Sequence, residues 1–315
     1  MKPLAVCLMG PTASGKTELA LRLADRLPVA IISVDSALVY RGMDIGTAKP
    51  AQDTLRRYPH RLLDIREPVE SYSAGTFVRD ATAEITDIHK TGCIPLLVGG
   101  TMMYFRALTR GMARLPPANR DIRAAIDAEA AAEGWAAMHG KLAAIDRNSA
   151  ERISANDSQR IQRALEVYRV SGRTLSEWHR TGLGESEAPA RFIKFGLVPR
   201  DRSTLHNRIE KRLAAMLENG FLEEVRRLRV RPGLSARSPS MRAVGYRQLW
   251  SHLDGDCDLE TAVARALFAT RQLAKRQLTW LRSEGGLYVL DPLEPATIDT
   301  IVSAIERQPG PKSGR

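Results

Sequence analysis

Short apolar runs punctuate the chain at residues 4–9, 29–34, 94–98, 192–198 and 287–290. Their lengths suit strands buried on both faces of a sheet. Between most of them, apolar residues recur at helical spacing. In 18–27, for example, Leu19, Ala20, Leu23, Ala24 and Leu27 fall on one face. Strands alternating with helices predict an α/β fold, a parallel sheet with helices on both faces.

The gap between the third and fourth runs is too long for one crossover connection. After Leu115-Pro116-Pro117, Ala-rich helical segments extend over about 121–146, and another helix runs over about 158–170. Ser171-Gly172 supplies a stop signal for the latter. Nothing between Arg114 and Pro189 resembles a strand. The pattern predicts a core segment at 1–113, an all-helical insertion at 114–190 and a second core segment at 191–307. The Pro- and Gly-bearing tail at 308–315 is expected to be disordered.

The first apolar run leads into Gly10-Pro11-Thr12-Ala13-Ser14-Gly15-Lys16-Thr17 and then a helix. This is the phosphate-binding loop in its required strand–loop–helix context. Gly10 and Gly15 allow the backbone N–H groups to turn inward, and the helix N-terminus adds positive potential. Lys16 brings a full charge, and the Thr17 hydroxyl can hold Mg²⁺. The loop does not say whether it grips a nucleotide or another diphosphate.

Two further strand ends point to the same edge of the sheet, where ligands bind in open α/β folds. The second run ends at Asp35-Ser36, and the third leads into Gly99-Gly100-Thr101. Asp35 could serve as a general base or cap the following turn; spacing leaves both open. Thr101 could present a hydroxyl or cap the next helix.

Charge adds a partner class. The 315 residues contain 47 Lys or Arg against 36 Asp or Glu, a net +11, which favours a polyanion. Residues 200–250 carry twelve basic against five acidic side chains. A long helix over 259–282 has an apolar stripe of Val263, Leu267, Ala274, Leu278 and Leu281. Arg271, Lys275 and Arg282 line an adjoining face, with Arg276 and Gln277 extending the polar surface and Trp280 near the end. Together these read as a nucleic-acid footprint. Gln159, Arg160, Gln162 and Arg163 start a helix of the insertion, with Ile161 and Leu165 turned inward. Such Gln and Arg side chains suit base edges or phosphates, and equally an ordinary solvated face.

Cys7, Cys93 and Cys257 form no C-x-x-C pair and read as free thiols of a cytoplasmic protein. The N-terminal apolar run is too short for a signal peptide, no stretch is long enough to span a membrane, and the six histidines show no metal spacing.

Taken together, these segments resemble the tRNA dimethylallyltransferase family, and the matching stretches run nearly end to end. They include the loop at 10–17, Asp35-Ser36-Ala37-Leu38-Val39-Tyr40, and Gly42-Met43-Asp44-Ile45-Gly46-Thr47-Ala48-Lys49-Pro50. Further along come His60–Ile65, Tyr72–Ala74, Val98–Thr101, Asn156–Arg160, Leu205–Arg208, Ala243–Arg247 and Thr270–Trp280. Leu38 stands where one common form has Gln, and Met102-Met103 where many members have Gly-Leu.

The resemblance implies transfer of a dimethylallyl group from dimethylallyl diphosphate to the exocyclic amine of adenosine 37 in the anticodon arm of tRNA. It implies that Gly10, Thr12, Ala13, Ser14, Gly15, Lys16 and Thr17 grip the donor diphosphate with Mg²⁺, and that Arg208 adds a cationic contact. Asp35 would be the base, and Thr101 would hold the adenine. Arg123, with Asp35, Ser36, Ala37, Leu38, Gln159, Arg160, Ile161, Gln162, Arg163, Ser240, Met241, Arg242, Ala243, Val244 and Gly245, maps to tRNA-contact positions. Lys275 and Arg276 join them through the basic helix, and a monomer is expected. The rival reading is a P-loop small-molecule kinase using ATP. It accounts for the loop and Asp35 but leaves the basic half without a purpose, as does an RNA-binding protein with a regulatory loop.

Overall fold

The computed structural model describes residues 2–113, 115–182 and 188–308. The chain separates into two compact units, one of Met1–Thr109 with Ala188–Arg315 and one of Arg110–Glu187.

The first unit opens with β1 (Leu4–Met9), α1 (Lys16–Ala24), β2 (Val29–Val34), α2 (Gln52–Arg57), β3 (His60–Arg61), α3 (Ala74–Lys90), β4 (Ile94–Gly99) and α4 (Met102–Arg110). The second unit holds α5 (Arg120–Glu133), α6 (Trp135–Ile145), α7 (Arg147–Arg152), α8 (Ser158–Ser171) and α9 (Leu175–Gly182), with no strand among its described residues. The chain then completes the first unit with β5 (Arg191–Leu197), α10 (Arg202–Glu218), α11 (Phe221–Arg229), α12 (Tyr246–Leu253), α13 (Leu259–Arg282), β6 (Leu287–Leu290) and α14 (Thr297–Glu306).

The six strands form one parallel sheet in the order β3-β2-β4-β1-β5-β6. Alternation along the strands serves two cores. Cys7, Met9, Ile32, Val34 and Leu97 face one side with Phe77, Phe105, Phe221 and Tyr246. Val6, Leu8, Ile31, Leu96 and Phe195 face the other, under Leu19, Leu23, Ile301 and Ile305 of α1 and α14. The second unit has its own core around Ile126, Met138, Leu142, Ile161 and Leu165.

Two details differ from the sequence pattern. The sheet has a sixth strand, β3, whose two residues are too few to register as an apolar run. Helix α1 starts at Lys16 and ends at Ala24, so Lys16 and Thr17 lie in its first turn and Leu27 lies beyond it. The predicted stop at Gly172 is a left-handed C-cap with φ 69°. Residues 309–315 of the expected tail lie outside the described residues.

Candidate active site

The glycine loop joins β1 to α1 by a route few side chains tolerate. Gly15 has φ 95° and Ala13 φ 61°, both left-handed. A Cβ on Gly10 would lie 2.8 Å from Ser14 Oγ and 2.9 Å from the Leu197 carbonyl oxygen. The Lys16 ammonium donates to the Pro11 carbonyl at 2.5 Å and lies 3.5 Å from Ser14 Oγ. Burial lowers its pKa from 10.5 to about 7; the Arg212 charge pushes the same way and Asp35 opposes both.

Helix α10 brings two arginines to this loop. Arg208 stands over Gly15, where a Cβ would meet its Nη2 at 3.4 Å. Arg212, one turn on, donates from Nη2 to Thr12 Oγ1. Arg208 and the loop residues therefore meet as the resemblance implied. Arg212 was not singled out in the sequence, although i, i+4 spacing from Arg208 places it on the same helix face.

Asp35 sits just past the end of β2, half-buried. Its Oδ1 accepts from the Ala37 amide at 2.8 Å and from the Leu38 amide at 3.2 Å, so it caps this turn. Among the described residues its other oxygen makes no hydrogen bond, and it remains open to a ligand. The Ser36 amide donates to Thr101 Oγ1 at 3.1 Å, joining the ends of β2 and β4. A hydroxyl that accepts this bond still has its own proton to donate. Gly99 permits the close approach, since a Cβ there would come within 2.0 Å of the Val34 carbonyl oxygen.

Gln277 on α13 connects these parts. Its Oε1 accepts from the Thr12 amide at 2.8 Å, and its Nε2 donates to the Gly100 carbonyl at 2.9 Å. The sequence pattern placed Gln277 on the polar surface, but it is buried. It lies three residues after Ala274 and four before Leu281, both buried, so helical spacing already put it on the inner face. The inner face of α13 in fact runs through Ala262, Ala266, Ala274, Gln277 and Leu281, while Val263, Leu267 and Leu278 are only half-buried.

Thr12, Asp35, Thr101, Arg212, Arg276 and Gln277 line one cavity of about 470 Å³. Ser36, Ala37, Arg242, Ala243, Val244 and Gly245 line it too, and Leu213, Met216, Phe221 and Trp280 give it apolar wall. Ser240 and Met241 are buried beneath this rim, with Ser240 Oγ donating to the Pro68 carbonyl at 2.6 Å. Their side chains are therefore enclosed, contrary to the expected tRNA contact, whereas Arg242 is exposed.

The 42–50 segment forms another part of the wall through Gly46 and Thr47. It is anchored by Glu224, whose side chain is almost fully enclosed. The amides of Asp44, Ile45 and Gly46 donate to this carboxylate at 2.9, 2.7 and 3.1 Å, and the Tyr246 hydroxyl adds a bond of 2.6 Å. Four converging donors compensate the burial of the charge.

The second unit carries the other expected contact positions. Gln159 and Arg160 are exposed at the start of α8, beside the Asp157 N-cap. Ile161 is fully buried in the unit's core, so its part is to support that surface. Gln162 Nε2 donates to Asp127 Oδ1 at 2.6 Å. Arg123 and Arg163 both bind the buried Glu166, through bonds of 2.8 and 3.0 Å from the former and 2.7 Å from the latter. They hold the unit together while remaining partly exposed.

Comparison with known proteins agrees with this geometry. A family model described as IPP transferase matches residues 38–284. A tRNA dimethylallyltransferase of Thioalkalivibrio sulfidiphilus is 55% identical over 306 residues, covering 96% of this chain and 95% of its own. Another, of Nitrosococcus oceani, is 57% identical over 294 residues and 93% of each chain. The chain belongs to the tRNA dimethylallyltransferase family. The crystal structure of a full-length tRNA isopentenylpyrophosphate transferase from Bacillus halodurans superposes with a TM-score of 0.71 at 35% identity, covering 97% of this chain and 96% of that one.

Membership in the tRNA dimethylallyltransferase family makes the chain a prenyl-transferring enzyme of tRNA modification and does not favour the kinase alternative. Among the described residues, no helix is long and apolar enough to cross a membrane, and no three His, Cys, Asp or Glu side chains group to hold a metal ion. Thr17, exposed in the first turn of α1, offers a single hydroxyl. That donor fits Mg²⁺, which commonly completes its shell with waters and phosphate oxygens.

Proposed function

We propose that this chain, acting as a cytoplasmic monomer, transfers the dimethylallyl group of dimethylallyl diphosphate to the N6 amine of adenosine 37 in the anticodon arm of tRNA. The observation that carries this reading is that Thr12 of the phosphate loop, Asp35, Thr101 and helix α13, through Arg276, Gln277 and Trp280, line one cavity. A kinase needs the first two; an RNA-directed transferase uses all four.

In this reading the loop amides, Lys16, Arg208 and Arg212 surround the diphosphate. The amine nitrogen attacks the allylic carbon, a C–N bond forms, and the C–O bond to diphosphate breaks with its electron pair leaving on oxygen. Positive groups fixed around that oxygen stabilise the charge as it develops. Asp35 takes the proton released by the amine through the oxygen not used in the turn. Thr101 donates to the adenine, which must leave the loop stack to reach the cavity. Thr17 would hold Mg²⁺ against the diphosphate, where it would neutralise part of the charge. The free thiols Cys7, Cys93 and Cys257 suit a reducing compartment.

Competition tests the loop's cargo. Inorganic diphosphate is expected to compete with dimethylallyl diphosphate, and ATP to remain unhydrolysed. Lys16-dependent ATP hydrolysis without modification of tRNA would overturn the proposal.

A further inference from the structure

A second groove, of about 770 Å³, runs along α12 and α13 outside the reaction cavity. The two share Val244 and Arg276, so they adjoin. Arg247, Arg265 and Arg276 line the groove; all three are exposed, and among the described residues none makes a side-chain hydrogen bond or ion pair. No Asp or Glu lines it. By contrast, Arg226, Arg229, Arg231 and Arg271 of the same unit are each paired with a carboxylate.

The groove also holds Phe268, which is 65% exposed. Phe268, Gln272, Arg276 and Trp280 follow one another at four-residue steps, so they form one inclined ridge of α13. At about 1.5 Å per residue the two aromatic positions are about 18 Å apart along the helix axis. Trp280 marks the end at the reaction cavity and Phe268 the end at the second groove. A solvent-facing phenylalanine between arginines that make no direct ion pair does nothing for the core, although the Asp258 carboxylate feels the Arg265 charge. Basic side chains interleaved with aromatic ones are what single-stranded nucleic acid binds, phosphates on the cations and bases on the rings.

We infer that this groove carries unpaired nucleotides of the substrate RNA next to the reacting adenosine, with Phe268 stacking on one base and Arg247 and Arg265 on the flanking phosphates. This rests on the reading of RNA as acceptor and extends it to a site beyond the cavity. Charge complementarity and adjacency to the cavity select RNA over an apolar protein segment. The groove would hold the loop open while the target base is withdrawn.

The test uses the full chain with unmodified tRNA and a tRNA anticodon stem-loop bearing 2-aminopurine beside the target adenosine. Phe268→Ala is expected to weaken RNA binding about tenfold, in line with loss of one stacked base, and to raise the KM for RNA. The kcat and the KM for dimethylallyl diphosphate stay within twofold. Phe268→Tyr should bind as wild type does, while Phe268→Leu should resemble Phe268→Ala, since a ring and not bulk is required. Arg265→Ala should reduce the salt-dependence slope by about one. Unchanged circular dichroism and Tm would show that the variants fold. The inference fails if Phe268→Leu restores binding, or if Phe268→Ala binds and quenches 2-aminopurine as wild type does while wild type still modifies tRNA. A wild-type chain that binds no RNA would overturn the proposed function and this groove together.

Discussion

Gln277 and Thr12, separated by 265 positions in sequence, are joined by a 2.8 Å hydrogen bond from the Thr12 amide to the Gln277 side chain. The other end of the same side-chain amide holds the Gly100 carbonyl, next to Thr101. One buried side chain of the basic helix therefore fixes both the phosphate loop and the strand end that presents the hydroxyl. Gly100 has no Cβ because one would lie 2.5 Å from Gln277 Nε2.

Replacing Gln277 with Ala should leave the part-buried Thr12 amide N–H and the buried Gly100 carbonyl without this partner. Each such loss costs about 1–3 kcal/mol. The expected outcome is a fall of about 10–100-fold in kcat/KM for the allylic donor, with tRNA affinity within twofold of wild type. Steady-state kinetics varying each substrate in turn check it; unchanged donor kinetics would make the bridge irrelevant to the site.

Asp35 has two tasks that one pair of variants separates. Asp35→Ala removes both the turn cap and the open oxygen, and turnover should fall about 10²–10⁴-fold, the range for a lost general base. Asp35→Asn keeps an acceptor for the Ala37 and Leu38 amides but takes up no proton. If the base role is correct, Asn is as inactive as Ala in single-turnover transfer; if only the cap matters, Asn retains near-normal turnover.

The lowered pKa of Lys16, about 7 against an ordinary 10.5, gives donor binding a pH dependence. Above pH 7 the free protein increasingly holds Lys16 neutral, whereas a bound diphosphate favours the ammonium. Binding should then take up a proton, and donor affinity should fall by up to about tenfold per pH unit above 7. In the empty protein the sign is opposite for stability. The unfolded chain keeps its proton up to about pH 10.5, so this group's contribution to folding stability increases between pH 7 and 10.5. Titration calorimetry in buffers of different ionisation enthalpy measures the uptake, and Lys16→Arg, always charged, should abolish it.

Much of this was legible in the chain. The apolar runs located five of the six strands, because strands buried on both faces are continuously apolar, and the glycine loop announced its own geometry. The positions of Asp35 and Thr101 at strand ends were legible, while spacing alone left their roles open. Gln277 was misplaced because its polarity was given more weight than its spacing, and Arg212 did not stand out among many basic residues. Glu224 gave no local signal, since its three amide partners lie about 180 residues away. Ile161, Ser240 and Met241 were expected among the tRNA contacts with their neighbours, but their side chains are buried.

The exposed basic residues of α13 predict a salt effect. Lys275 and Arg276 face solvent. Replacing both with Ala should weaken tRNA binding and lower its salt-dependence slope by one to two units, at roughly 0.7–0.9 for each phosphate no longer neutralised. Because Arg276 also lines the reaction cavity, Lys275→Ala alone is the variant expected to leave the donor KM unchanged. An unaltered slope in the double variant would mean that this face is merely solvated.

The most direct measurement incubates the full chain with unmodified tRNA, Mg²⁺ and dimethylallyl diphosphate, then digests the tRNA and identifies its nucleosides by mass spectrometry. The account predicts one dimethylallyl group on N6 of the adenosine at position 37, released diphosphate in equal amount, and both products formed about 10²–10⁴-fold more slowly with Asp35→Asn. Modification at another nucleoside, or diphosphate release without any allylic group on the tRNA, would contradict it.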